Sequence, residues 1–225
     1  MIVQLDNISK IYQNNNDVPE HKVLNNISLC IEKEDSIAIV GPSGSGKSTL
    51  LNIIGTLDKS SAGSTKIFGK AIDEYAENQL AEIRNNKIGF GFQTHHLLPQ
   101  LNLFENVMLP VLAQKNKNST NNTEKRAKEL LQFVGLENRM KNYPGQLSGG
   151  ECQRAAVIRA LINQPELLLA DEPSGSLDQE NAEIIGDLLT KINKEQKISL
   201  LIVTHSMNLA KKMNKIYTLS QGKLL

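Results

Sequence analysis

An α/β fold, a mostly parallel sheet flanked by helices, is what this sequence predicts, and three observations predict it. Ile37-Ala38-Ile39-Val40, Leu167-Leu168-Leu169-Ala170 and Leu200-Leu201-Ile202-Val203 are short continuous apolar runs, the pattern of strands buried on both faces. Stretches with helical spacing go with them: Leu50, Leu51, Ile53, Ile54 and Leu57 after the first run, and Ile184, Ile185, Leu188, Leu189 and Ile192 between the other two. Finally, the three runs end at Gly41, Asp171 and His205, and sheets of this kind bind ligands beyond the carboxyl ends of their strands.

The remaining elements follow in order. Residues 3–8 and 27–31 alternate apolar and polar side chains, as half-buried strands do, and the Asn-rich stretch 13–18 between them reads as a loop. A turn is expected over residues 60–64 and a hairpin over 65–72 around Gly69-Lys70. Helical character returns over 74–84, and residues 88–92 read as a strand. The most polar stretch of the chain, 114–123, reads as a solvated loop ahead of a helix over 124–133. No internal repeat and no flexible interdomain linker is evident.

Composition narrows the class. A chain of 225 residues is long enough to bury its own core without disulfides or a structural metal. Lys and Arg total 25 and Asp and Glu 24, a net charge of +1, which argues against a surface that coats a polyanion and so against a nucleic-acid partner. No stretch approaches the ~20 apolar residues of a membrane span, and the first residues carry no secretory signal pattern. Cys30 and Cys152 fit no metal spacing and suit a reducing compartment.

Gly41-Pro42-Ser43-Gly44-Ser45-Gly46-Lys47-Ser48-Thr49 fits Gly-x4-Gly-Lys-Ser/Thr between a buried strand and a helix. By average residue usage the pattern arises by accident in about 1% of chains this long, so a fortuitous Gly-Ser turn is the weaker reading. Glycines let the backbone wrap closely and point its N–H groups inward, and the helix start adds positive potential. Lys47 would reach the β- and γ-phosphates of a nucleotide, and Ser48 would ligate Mg²⁺. The loop alone does not choose among kinases, GTPases, transport ATPases and motor enzymes. Asp171 at the end of the second run can hold Mg²⁺, and Glu172 beside it can act as general base on the attacking water. No Asn-Lys-x-Asp tetrapeptide is present, which counts against guanine specificity. Leu147-Ser148-Gly149-Gly150-Glu151 then provides a second turn feeding a helix, at once an N-cap and an anion site. One compact nucleotide site does not need two phosphate cradles; a symmetric dimer does.

Together these motifs, with Leu-Leu-Leu-Ala-Asp-Glu-Pro at 167–173, resemble the ATPase subunits of ABC transporters over essentially the whole chain. The resemblance implies the ABC variant of the P-loop NTPase fold: one domain with an antiparallel β edge, a core over residues 1–92 and 160–225, and a helical subdomain over 93–159. It implies ATP and Mg²⁺ as ligands, and further roles: Tyr12 stacks on adenine, Gln93 touches Mg²⁺ and the attacking water, Asp178 lies at the dimer contact, and His205 contacts the γ-phosphate. Ser148, Gly149 and Gly150 would bind the γ-phosphate held by the other copy of a homodimer. Gly91, Cys152 and Ser174 depart from the commoner residues of the family, none at a phosphate-contacting position, and Cys152 reads as a packing residue.

Residues 92–99 and 104–110, with Gly55-Thr56-Leu57-Asp58 and Tyr143-Pro144-Gly145-Gln146, are similar to the lipoprotein-releasing and macrolide-exporter group, and close also to the cell-division type. That similarity implies docking to integral membrane permease subunits, attachment to the cytoplasmic face of the inner membrane through them, and a chain that is one whole cassette with no fused permease. His95-His96 reads as part of a solvated loop on the permease-facing side more readily than as a metal pair. A soluble ABC ATPase acting on DNA or ribosomes is the alternative, against which stands the absence of an inserted coiled coil or a second cassette.

Overall fold

The computed structural model describes residues 1–12, 21–113 and 120–225, without the side chains of residues 120 and 121; the stretch 13–18, and 114–123 up to residue 119, lie outside it. Two sheets meet across one helix. Strands β1 (Val3–Tyr12), β2 (His21–Ile31), β4 (Ala62–Ile67) and β5 (Lys70–Ala71) pair antiparallel in the order β2-β1-β4-β5. The larger sheet combines β3 (Ser36–Val40), β6 (Ile88–Gly91), β7 (Leu167–Asp171), β8 (Ser199–Thr204), β9 (Lys215–Ser220) and β10 (Lys223–Leu224) in the order β10-β9-β3-β8-β7-β6. All its pairings are parallel except that of β9 with β10.

The apolar runs are continuous because this sheet is covered on both sides. Ile37, Ile39, Leu167, Leu169, Leu201 and Val203 enter a core shared with α1 (Lys47–Ile54) and the antiparallel sheet. Ala38, Val40, Leu168, Ala170, Leu200 and Ile202 enter the opposite core, with α3 (Leu103–Leu112), α4 (Thr120–Phe133), α5 (Gly149–Leu161) and α6 (Gln179–Gln196). Pleating alone sends neighbours to opposite faces. Helix α1 is therefore wedged between two sheets, with Leu50, Leu51, Ile53 and Ile54 all buried, which anchors whatever its N-terminus presents.

Several boundaries differ from the sequence reading. Helix α1 stops at Ile54, where Gly55 lies so close to the Phe90 ring that a Cβ there would sit 2.6 Å from it, and Leu57 projects outward. The hairpin turn falls on Phe68-Gly69, one residue early, because both take positive φ (50° and 82°) as a two-residue hairpin of this twist requires. Strand β4 takes in residues 62–64 of the expected turn. Helix α2 (Glu77–Lys87) starts three residues after 74, behind a 3₁₀ turn at Ile72–Glu74, and α4 starts at Thr120. Helix α6 turns Ile185, Leu188, Leu189 and Ile192 inward and leaves Ile184 40% exposed. Helix α3, unread in the sequence, is capped reciprocally by Asn102 and Glu105. Its fully buried Asn106 bonds the backbone of Leu98, Leu101 and Asn102. Helix α7 (Met207–Ala210), β9 and β10 were also unread. No helix among the described residues is long and apolar enough to cross a membrane.

Candidate active site

Parallel register brings the ends of β3, β7 and β8 together, Val40 opposite Thr204 and Asp171 opposite Val203. Beyond β3 runs the loop 41–46. Gly41 lies under the Leu219 backbone, where any Cβ would collide with the carbonyl. Gly44 and Gly46 have φ of 76° and 100°, and a Cβ on Gly46 would sit 2.9 Å from Leu24 and Val23 of β2. No side-chain cap among the described residues meets the first N–H groups of α1 at Gly46, which have no partner within the helix. Inside the loop the buried Ser45 Oγ has no hydrogen-bond partner among the described residues, an orphan donor where a phosphate oxygen could accept. Lys47, 7% exposed, folds back on its own loop: Nζ donates to the Gly41 and Pro42 carbonyls at 2.8 and 3.1 Å and lies 4.0 Å from Glu172 Oε1.

Asp171 ends β7, hydrogen-bonded to the Ser48 side chain; burial pushes its carboxyl up, against that bond. Ser48 and Asp171 thus form an oxygen donor pair, the type hard divalent cations take. The next residue, Glu172, has φ 46°, a conformation costing about 1–3 kcal/mol for a non-glycine residue. Its N–H, donating to Val203 O at 2.9 Å, holds it there. Glu172 Oε2 accepts from Thr204 Oγ1 at 3.0 Å and from the His205 N–H at 3.2 Å, and lies 3.0 Å from His205 Nδ1. Gln93, two residues past β6, comes near Glu172 across Gly175, where a Cβ would stand 3.2 Å from Gln93 Nε2, 3.3 Å from the Glu172 carbonyl oxygen and 3.4 Å from Glu172 Cβ. Ser176 Oγ donates to the Gln93 carbonyl at 3.1 Å.

The structure thus brings together Lys47, Ser48, Asp171, Glu172, His205 and Gln93. Ser148, Gly149 and Gly150 stand elsewhere, at the start of α5, and no hydrogen bond or ion pair among the described residues joins them to the loop 41–49. Ser148 caps that helix: its Oγ accepts from Glu151 N at 3.2 Å, and its N–H donates to Glu151 Oε2 at 2.8 Å. Gly150 lies against Asn181 of α6, whose side chain leaves no room for a Cβ. Asp178 caps α6 through the Asn181 N–H. Tyr12 sits at the end of β1, 42% exposed, its hydroxyl donating to Asp58 Oδ2 at 2.9 Å.

The sequence reading missed the supporting residues. Thr204 orients Glu172; Gln153 Nε2 donates to Phe92 O at 2.8 Å; Arg159 donates to the His95 and His96 carbonyls at 2.8 and 2.7 Å. His95-His96 belongs to a tight turn, His96 packing edge-on to Phe92 and His95 Nδ1 accepting from Leu97 N. Cys152 is buried in the core beside α3, and burial pushes its thiol up. Gly91 does not need to be glycine, since a Cβ there would meet Ala170 at an ordinary 3.7 Å.

The capping bond gives a pH signature. The Ser148 N–H, aided by its hydroxyl and by Arg139 and Arg154, holds the Glu151 carboxyl below its ordinary range despite some burial. A depressed acid stabilises the fold above its unfolded value and loses that effect as pH falls through the folded one. Glu151→Gln keeps the hydrogen bond, as Gln79 and Gln146 do at the matching positions of their turns, and removes only the charge, so it is expected to lower Tm by about 1–3 °C at neutral pH, a charge effect of about 0.3–1 kcal/mol. Between about pH 5 and pH 3 the difference should vanish. A Tm gap that stays constant over that range would remove the carboxylate from the account.

The ABC transporter family model matches residues 24–175. The dimeric post-hydrolysis structure of the ATP-binding cassette MJ0796, bound to ADP and Pi, is 40% identical with a TM-score of 0.88, covering 99% of this chain and 96% of that one. A second dimeric structure of MJ0796, described as a bacterial ABC transporter cassette, matches equally. CbiO1 from Clostridium perfringens, part of the ABC transporter complex cbiONQ, is 25% identical with a TM-score of 0.86 over 100% of this chain and 86% of that one. With a phosphate loop, a strand-end carboxylate pair and a capped Ser-Gly-Gly turn set on this shared fold, the chain belongs to the ABC transporter family as one of its ATP-binding, ATP-hydrolysing cassettes.

Proposed function

We propose that two copies of this chain close around two MgATP, each held between the loop 41–49 of one copy and Ser148-Gly149-Gly150 of the other. The cycle drives a separate membrane permease of the lipoprotein-release or exporter type, at the cytoplasmic face of the inner membrane and without a nucleic-acid partner. The observation that carries this reading is the separation of the polar motifs into two places, a nearly complete hydrolytic cluster around Glu172 and an outlying capped turn at Ser148. A second copy supplies the missing half. The dimeric MJ0796 structures and the cbiONQ membership of CbiO1 support it.

In this reading the loop N–H groups, Ser43, Ser45, Lys47 and Thr49 of the loop and helix start hold the phosphates. Three donors or ring atoms already crowd Glu172 Oε2, so Oε1 is the oxygen left to take a proton from the attacking water. His205 contacts the γ-phosphate and fixes Glu172. Ser48, Asp171 and Gln93 would hold Mg²⁺, which when bound offsets charge between the phosphates; an all-oxygen set with one carboxylate fits that ion. Tyr12 receives the adenine, and Asp178 lies at the contact between copies. Residues 93–159 form the helical subdomain that meets the permease, and residues 1–92 and 160–225 form the core.

Affinity capture of the tagged chain from detergent-extracted membranes tests the assignment. An integral membrane protein with few spans and a large extracytoplasmic domain is the expected partner. Ribosomes or DNA without an integral protein would overturn it.

A further inference from the structure

We propose that Lys10 and Asp58 form a brace that fixes the Tyr12 ring for the base of the nucleotide and ties it to the helix bearing the phosphate loop. This rests on the reading of Tyr12 as the adenine platform and adds two residues to it. Asp58 Oδ1 accepts from Lys10 Nζ at 2.5 Å and from the Lys59 N–H at 2.7 Å, while Oδ2 accepts the Tyr12 hydroxyl at 2.9 Å. Lys10 Nζ also donates to Lys59 O at 2.8 Å and lies 4.8 Å from the Tyr12 ring centroid. One face of the ring is therefore taken by a cation, and a ligand has only the other face to stack on.

Position makes the arrangement more than a surface ion pair. Asp58 lies four residues past the end of α1, whose first residue is Lys47. The turn between is rigid: Leu57 N and Asp58 N both donate to Asn52 O, and Arg84 donates to Thr56 O at 3.0 Å. On the other side, β1 is irregular around Lys10, which stands opposite Leu24, the residue that packs on Gly46 of the phosphate loop. Tyr12 is two residues further along, about 7 Å at strand rise. The ring is thus referenced to the phosphate loop twice, through Leu24 and through Asp58. Its hydroxyl, remote from the base, serves as the tether. Lys10 and Asp58 are well sheltered, their side chains 12% and 27% exposed. The Lys10 ammonium, the Tyr12 hydroxyl and the Lys59 N–H together hold the Asp58 carboxyl below its ordinary range against the opposing effect of burial.

Steady-state kinetics on the purified chain, with ATP as substrate and inorganic tripolyphosphate as a base-free competitor, test the brace. Asp58→Ala is expected to raise KM for ATP about three- to tenfold, with the change falling on KM rather than kcat, and to leave tripolyphosphate inhibition as it was. Tyr12→Phe, which deletes only the tethering hydroxyl, should give a similar rise. The double variant should be no worse than Asp58→Ala alone, because both remove the same bond. If Tyr12→Ala raises KM but Asp58→Ala and Tyr12→Phe do not, the brace is wrong and the platform stands. If Tyr12→Ala leaves KM unchanged, the platform reading itself falls. If Asp58→Ala weakens tripolyphosphate as much as ATP, the residue acts on the phosphate loop and the proposal is overturned.

Discussion

Glu172→Gln is expected to slow ATP hydrolysis by about 10²–10⁴-fold while ATP still binds, so that the dimer accumulates with nucleotide trapped between its halves. Glutamine has the same shape, so its carbonyl oxygen can keep the bonds from Thr204 Oγ1 and the His205 N–H that Oε2 now makes. The amide nitrogen then occupies the Oε1 position near Lys47, where it has no lone pair to take a proton. Because the backbone at φ 46° is held by Val203 O and not by the side chain, stability should move little. Phosphate release and light scattering with and without ATP read the two halves of the expectation. Hydrolysis at the wild-type rate would show that Glu172 is not the base.

Lys47→Ala should be the second large effect, falling on binding. A charge-assisted hydrogen bond is worth about 1.5–3 kcal/mol, so loss of the ammonium lowers ATP affinity about ten- to hundredfold. The buried position adds a structural cost, since the Gly41 and Pro42 carbonyls lose their donor, and a drop of about 1–3 kcal/mol in stability follows. Arginine is not expected to rescue it, because a planar guanidinium cannot fill the niche of a compact ammonium. Nucleotide titration by calorimetry, with thermal melts alongside, separates the two effects. Unchanged ATP affinity would exclude Lys47 from the phosphate site.

What could be read in the sequence follows from how local each signal is. Residues 37–40, 167–170 and 200–203 were legible as strands because double-sided burial demands consecutive apolar residues, which few other environments do. Strand β9 was not, since much of Lys215–Ser220 faces solvent and only Leu219 is buried. Helix α3 carries Pro110 in its interior, a residue that argues against a helix unless tertiary contacts override it. The phosphate loop was legible because its glycines and lysine act through nearby backbone. The partners of Tyr12, Gln93 and Glu172 were not: Lys10 and Asp58 stand 48 residues apart, Ser176 reaches 83 residues back to the Gln93 carbonyl, and Thr204 lies 32 from Glu172. Only the fold reveals such pairs, and a polar residue at a buried strand end, such as Thr204, is the one hint the sequence held.

The doubly covered sheet also acts as a ruler. In β3, β7 and β8 the apolar side chains alternate between two cores, so none of these strands can slide by one position without driving each apolar residue into the wrong core. Polar groups at the strand ends therefore inherit a spacing graduated in steps of about 3.3 Å, and Asp171 opposite Val203 is one mark on that scale. Swapping one hydrophobic residue for another inside β3, β7 or β8 leaves the graduations alone. Deleting a single residue from any of them shifts the scale itself, and the carboxylates of Asp171 and Glu172 would be displaced although neither had been mutated.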